Sequence, residues 1–134
     1  MAERRYSVVA GTWAVARLGP TEPVPDWAAA GSGFISTTRT ADELSITAPD
    51  HQVPDGVRAE RDWALIKLHG PFGFDEVGVL AGVAGPLAAA GISLFAVSTF
   101  DTDYLLVKAH RLADACRTLG RAGYRGADDV PVPA

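Results

Sequence analysis

Apolar residues recur with two different periods along the chain, and the change of period predicts the elements of its second half. The run DWALIKLHG at 62–70 is rich in β-compatible apolar residues and predicts a strand. From 75 to 90 the apolar residues recur at helical spacing, and the stripe is Val77, Leu80, Val83, Ala84, Leu87 and Ala88. Pro86 removes a backbone donor and predicts a kink, and Gly91 ends the helix.

The remainder of this half predicts a hairpin and a second helix. Strands are expected at 92–99 and 104–109, followed by a helix at 111–123 and a short last strand near Tyr124. The inward positions of that helix are Leu112, Ala115, Cys116 and Leu119. The predicted order of elements is therefore βαββαβ.

The first half repeats this pattern in a reduced form. WAVARLGP at 13–20 resembles WALIKLHGP at 63–71, and FISTTRTADELSI at 34–46 aligns without a gap with FAVSTFDTDYLLV at 95–107. The second alignment sets Thr38 against Thr99 and Asp42 against Asp103. These matches predict a duplication, with domains at 1–60 and 61–126 and a tail at 127–134. The first copy is proline-rich, so we expect it to keep one helical turn at DWAAA and to share a core with the second.

Composition and charge narrow the classes of function. The 134 residues carry a formal net charge of −4 and are 48% hydrophobic, so no basic field exists for nucleic acid or an anionic membrane. The apolar run near the N-terminus is broken by Ser7, Gly11 and Thr12, which favours a strand over an export signal. The single Cys116 cannot form an internal disulfide, and a cytoplasmic location is expected.

Candidate chemistry lies in the loop GPFGFDE at 70–76 and the turn STFDTD at 98–103. Free amides at a helix start attract a carboxylate, and Gly73 lets a ligand approach the backbone closely. The carboxylates of Glu76, Asp101 and Asp103 suit an ammonium group. Ser98 and Thr99 add neutral hydrogen bonds, and Phe100 adds an apolar cover. Together these groups match an α-amino acid.

A structural explanation of the same residues stays open. Gly73 can simply shape a turn, and Asp75 can simply cap the helix. The turn hydroxyls and carboxylates can bond to their own backbone. The three histidines lack metal-type spacing, and the chain has neither a Gly-x-Ser-x-Gly elbow nor a phosphate-binding Gly-x-x-x-x-Gly-Lys loop. We therefore expect no catalytic residue, no metal and no cofactor.

The segment GPFGFDEVGVLAGVAGPLAAAGISLFAVSTFDTDYLLVKAH resembles the ACT domain. It is especially similar to small bacterial double-ACT proteins related to the cytosolic arginine sensors, and FISTTRTADELSI resembles their degenerate first domain. The resemblance implies an α+β, ferredoxin-like βαββαβ fold, with two ACT-type units side by side and an amino acid bound where they meet. The ligand-binding residues it implies are Gly73, Phe74, Glu76, Ser98, Thr99, Phe100 and Asp103. The sensors contain four ACT units and this chain at most two, so a homodimer is expected.

Three functional hypotheses follow. The first is a regulatory protein that senses a small molecule, an amino acid above all, at an ACT–ACT interface. The second is a protein–protein interaction module whose ligand site has decayed, which the reduced first copy favours. The third is an enzyme that uses Asp103 or Ser98, but the sequence offers no pair of nucleophile and base.

Overall fold

The computed structural model describes residues 4–31, 33–70 and 77–126. These residues form two compact units, one made of 11–63 and the other of 4–10 together with 64–126. Strand β1 (Arg5–Leu18) and strand β4 (Ala59–Leu68) each contribute residues to both units. The structure confirms a mixed fold of helices and strands that is dominated by its strands. The division into domains at 1–60 and 61–126 stays a prediction.

The unit at 11–63 is a small sheet with little helix. It contains helix α1 (Asp26–Ala29), strands β2 (Ser36–Arg39) and β3 (Leu44–Pro49), and a 3-10 turn at Asp50–Gln52. Its strand order is β2-β3-β1-β4. The buried core is alanine-rich: Ala14, Ala16, Ala28, Leu44, Ile46, Ala48 and Val53. As predicted, the proline-rich segment contains a single helical turn, and the segment after β3 forms turns; that this unit is a reduced copy of the other stays a prediction.

The other unit places two helices on one face of its strands. It contains helix α2 (Val79–Ala89), strands β5 (Phe95–Ser98) and β6 (Asp103–Lys108), helix α3 (Leu112–Arg121) and strand β7 (Arg125–Gly126). The strand order is β1-β4-β6-β5, and β7 pairs in parallel with the beginning of β1. The amide of His69 donates to the carbonyl of Arg5 at 2.9 Å, which joins the end of β4 to the start of β1.

The core of this unit fixes which face of each strand meets the helices. Ile66 and Leu68 of β4 and Leu105 and Val107 of β6 pack with the helices, whose buried side chains include Leu87. Because side chains alternate along a strand, Lys67 and Tyr104 lie on the opposite face. The strands of this unit therefore have a helix-packed face and an opposite face, which we call the helix-free face because α2 and α3 pack on the other one.

The apolar stripe predicted for helix α2 is partly wrong. Val83 and Leu87 are fully buried as expected, and the third buried position is Val79. Val77 is 90% exposed and Leu80 is 37% exposed. The helix begins at Val79, so Val77 precedes it, and Leu80 lies one residue, or about 100°, round the helix from Val79. Ala88 of the predicted stripe is exposed as well.

The helix ends follow the sequence closely. Gly91 has a φ of 74°, and the amide of Ile92 donates to the carbonyl of Leu87 at 2.9 Å. This geometry is the Schellman motif, in which glycine accepts a left-handed backbone at no steric cost. The predicted stops at Gly91 and Gly123 are confirmed, because helix α3 ends in the same way with a φ of 96° at Gly123.

Candidate functional site

Strands β5 and β6 are joined by a tight turn that needs no glycine. They pair antiparallel, with Ser98 opposite Asp103 as the last pair before the turn. The amide of Thr99 donates to the carbonyl of Thr102 at 2.8 Å, and the Thr99 hydroxyl donates to the same oxygen at 2.9 Å. The Thr99 hydroxyl also accepts from the Thr102 amide at 3.3 Å. The threonine hydroxyl therefore closes the loop with side-chain bonds.

The first hairpin uses the same device at a position that the sequence alignment missed. The amide of Thr40 donates to the carbonyl of Glu43 at 2.9 Å, and the amide of Glu43 donates to the Thr40 hydroxyl at 3.2 Å. Thr40 is therefore the structural counterpart of Thr99. The pairing of Thr38 with Thr99 was wrong by two residues, because hydrogen-bonding position in the turn, and not residue identity, sets the equivalence.

Thr102 ties the turn to strand β4. Its side chain is 6% exposed, and its hydroxyl donates to the carbonyl of Leu68 at 2.6 Å. Buried hydroxyls are costly unless they find such a partner. The corner formed by residues 98–103 is thus held in a fixed position beside the end of β4.

Ser98 and Asp103 form a polar pair on the helix-packed side of the corner. Asp103 shares the face of Leu105 by strand alternation, and Ser98 lies opposite it in the register. The Ser98 hydroxyl donates to Oδ1 of Asp103 at 2.5 Å. Within the described residues, Oδ2 of Asp103 accepts no hydrogen bond. A carboxylate held in this way suits an ammonium group.

The structure brings together some of the residues predicted for the site. Ser98 and Asp103 are in contact, and Thr99 lies next to them with its hydroxyl engaged inside the turn. The ring of Phe100 is 79% exposed at the tip of the turn. The three predicted residues of the glycine loop lie outside the described residues: Gly73, Phe74 and Glu76. The role of all seven in binding stays a prediction.

A pocket of about 290 Å³ opens beside the same corner, and two of its lining residues, Lys67 and Tyr104, were not named as candidates from the sequence. Its lining residues are Lys67, Gly70, Thr99, Asp101, Thr102 and Tyr104. Lys67 and Tyr104 belong to the helix-free face, so this pocket is separate from the Ser98–Asp103 pair. The signal available in the sequence was alternation, because Lys67 lies between the apolar Ile66 and Leu68.

Two neighbouring residues of strand β1, Tyr6 and Ser7, each form a polar pair with a residue outside that strand. The hydroxyl of Ser7 and Nε2 of His69 are hydrogen-bonded. Burial, together with a smaller contribution from a hydrogen bond with Cys116, raises the pKa of Tyr6 to about 12. Burial likewise raises the pKa of the Cys116 thiol, so this cysteine is held in its neutral, unreactive form.

Metal and membrane features can be assessed only for the described residues. Within 4–31, 33–70 and 77–126, no group of three or more His, Cys, Asp or Glu side chains is arranged to hold a metal ion. Among the helices in those ranges, none has the length and apolar character needed to cross a membrane.

Comparison with known protein families gives two matches that together run along most of the chain. A family model described as the ACT domain matches residues 58–121. A second model, described as an N-terminal domain, matches residues 11–56.

Individual relatives agree with these matches. The cytosolic arginine sensor for mTORC1 subunit 1 of Homo sapiens is 43% identical over 60 residues, which are 44% of this chain and 18% of the sensor. A crystal structure of a protein from Agrobacterium tumefaciens has a TM-score of 0.88 at 40% identity and covers 95% of this chain and 94% of its own. The ligand-free regulatory subunit of aspartate kinase from Thermus thermophilus has a TM-score of 0.63 at 12% identity, covering 87% and 96%, and shares the fold.

Proposed function

From the match of residues 58–121 to the ACT domain family, we propose that this chain is a regulatory protein that binds a small molecule, most of all an amino acid. The observation that carries the proposal is the Ser98–Asp103 pair, in which a hydroxyl positions one carboxylate oxygen and leaves the other able to accept an ammonium group. The relatives support it, since one is an arginine sensor and another is a regulatory subunit of aspartate kinase.

The proposed contacts retain the residues predicted from the sequence. Asp103 receives the α-ammonium group, Ser98 orients Asp103, and Phe100 covers the ligand from the exposed tip of the turn. Gly73 and Glu76 are proposed to complete the site from the glycine loop. Phe74 and Thr99 are the remaining two residues of the proposed binding site.

Domain organisation forms part of the same proposal. The strand orders β2-β3-β1-β4 and β1-β4-β6-β5 support two ferredoxin-like, ACT-type units, the first of them degenerate. We propose that the ligand binds at an ACT–ACT interface and that two chains associate as a homodimer. A cytoplasmic location is proposed by analogy with the cytosolic sensor. The chain spans about a fifth of that sensor, so the sensor's own ligand is not assigned here.

A regulatory role is favoured over catalysis. The relatives point to regulation, and the proposed binding energy would act by stabilising one conformation of the protein over another. Among the described residues, the buried thiol and phenol of Cys116 and Tyr6 are held neutral, so neither is an activated nucleophile.

The experiment that tests the proposal is a thermal-shift screen of the twenty amino acids on the full chain. A ligand present at about 100 times its dissociation constant adds about 2.7 kcal/mol to the free energy of unfolding. One or a few amino acids are expected to raise the melting temperature of the wild type and to leave Asp103→Asn unchanged. Shifts that are equal in the two proteins would contradict the proposed site.

An interaction module is the second candidate function, and a specific observation favours it. Helix α2 carries no charged residue, and Leu80 is exposed on it, with Val77 exposed just before it. Helix α3, in contrast, presents Asp114 to Arg117, whose hydrogen bond holds the pKa of Asp114 below its ordinary value. If the amino-acid screen is silent and size-exclusion chromatography reveals a stable partner, this second function replaces the first.

A further inference from the structure

We propose that the pocket on the helix-free face is a second binding site, independent of the Ser98–Asp103 pair, and that it takes a small zwitterion. Lys67 would bind the anionic group of the ligand, and Asp101 would bind its ammonium group. The proposal goes beyond the function proposed above, because its two charged contacts, Lys67 and Asp101, do not belong to the site proposed above.

Two residues of the pocket lining, Thr99 and Thr102, are held by hydrogen bonds inside the protein. The hydroxyl of Thr102 is bound to the carbonyl of Leu68, and the hydroxyl of Thr99 both donates to and accepts from the backbone of Thr102. These hydroxyls are thus committed to shaping the turn. They hold the backbone of Asp101 next to the end of β4.

The two charged residues of the lining remain available for a ligand. Within the described residues, Lys67 and Asp101 form no ion pair or hydrogen bond with one another or with another side chain. Both side chains are exposed, so a ligand would displace water from them and would not have to break a buried contact with another residue. An ammonium and a carboxylate that line one pocket without pairing can each bind a ligand group of opposite charge.

Charge and size together set the class of ligand. A simple anion would be attracted by Lys67 but repelled by Asp101. A simple cation would be attracted by Asp101 but repelled by Lys67. A molecule with one charge of each sign satisfies both groups. The volume of about 290 Å³ lies near the lower end of ligand pockets, which favours a small metabolite over a nucleotide or peptide.

The test titrates four proteins with the twenty α-amino acids and with acetate and ethylammonium as probes of a single charge. The proteins are the wild type, Lys67→Met, Asp101→Asn and Lys108→Met, and Asp103→Asn, which alters only the other site, is titrated beside them. Lys108 is the matched control, because it lies on the same sheet face as Tyr104 but does not line the pocket. At least one zwitterion is expected to bind the wild type and Lys108→Met with equal affinity. Its affinity for Lys67→Met and for Asp101→Asn should be lower by about tenfold or more.

Several outcomes would overturn this second site. One is that no zwitterion binds at millimolar concentration, which would make Lys67 and Asp101 solvated surface charges only. Another is that acetate or ethylammonium binds as well as the zwitterions. A third is that binding survives in Lys67→Met and Asp101→Asn but is lost in Asp103→Asn, which would assign all binding to the helix-packed face and leave the proposed function intact. Because both substituted residues are exposed, unchanged melting temperatures will verify that the variants fold.

Discussion

The hydroxyl of Ser98 donates to Oδ1 of Asp103 at 2.5 Å, across the last residue pair of the β5–β6 hairpin. The bond occupies one oxygen of the carboxylate, and within the described residues the other oxygen accepts no hydrogen bond. Replacing this hydroxyl therefore tests the effect of positioning the carboxylate, because the charge of Asp103 is kept.

Ser98→Ala is expected to weaken amino-acid binding by about tenfold while changing the free energy of unfolding by less than about 1 kcal/mol, since the bond is exposed. Ser98→Thr keeps a hydroxyl and should bind nearly as the wild type does. Isothermal titration calorimetry and urea unfolding measure the two quantities. Equal affinity in Ser98→Ala and the wild type would show that the hydroxyl has no positioning role.

Two leucines of helix α2 test which face of the helix is buried. Leu87→Ala removes a fully buried side chain and should cost about 2–5 kcal/mol. Leu80→Ala, at a site that is 37% exposed, should cost less than about 1 kcal/mol. Urea denaturation of both variants measures the two free energies of unfolding. Similar losses of stability at the two positions would mean that both leucines are buried, as the sequence predicted.

The buried bond from Thr102 to the carbonyl of Leu68 is expected to stabilise the corner. Thr102→Val has nearly the same shape but no hydroxyl, so it should lower the free energy of unfolding by about 1–3 kcal/mol. Thr102→Ser retains the donor and should lose less. If Thr102→Val were as stable as the wild type in chemical denaturation, the bond would contribute nothing to the fold.

Tyr6 makes the stability of the protein dependent on pH in the alkaline range. The pKa of Tyr6 is raised from 10.0 to about 12, so the folded protein keeps the phenol proton after the unfolded chain has lost it. The stabilisation is complete below pH 10 and is lost as the pH rises from 10 to about 12. Tyr6→Phe should show a smaller loss of stability over this range in urea titrations at successive pH values. A parallel decline in both proteins would contradict the assignment.

The elements of the second half could be predicted because each had a local signal. The Schellman glycines at 91 and 123, and the helix-forming run between 79 and 89, act within a few residues of the chain. Burial in helix α2 was harder to predict. Val77, Val79 and Leu80 are all apolar, and only the position at which the helix begins decides which of them turns inward.

The candidate site shows the same limit. Ser98 and Asp103 are five residues apart, and their contact follows from a hairpin that the sequence predicted. Lys67 is remote in sequence from Asp101, and its place in a shared pocket depends on the pairing of β4 with β6, which no local pattern specifies. The equivalence of Thr40 and Thr99 was likewise missed, because it rests on hydrogen bonds to the backbone.

Mapping the bound ligand by amide NMR of the isotopically labelled full chain tests the central claim most directly. The amino acid selected in the thermal screen should shift the amide signals of residues 98–103 in the wild type, and these shifts should disappear in Asp103→Asn. If the ligand leaves the signals of 98–103 unchanged, or perturbs them equally in Asp103→Asn, then the Ser98–Asp103 pair does not bind the amino acid and the proposed function is wrong.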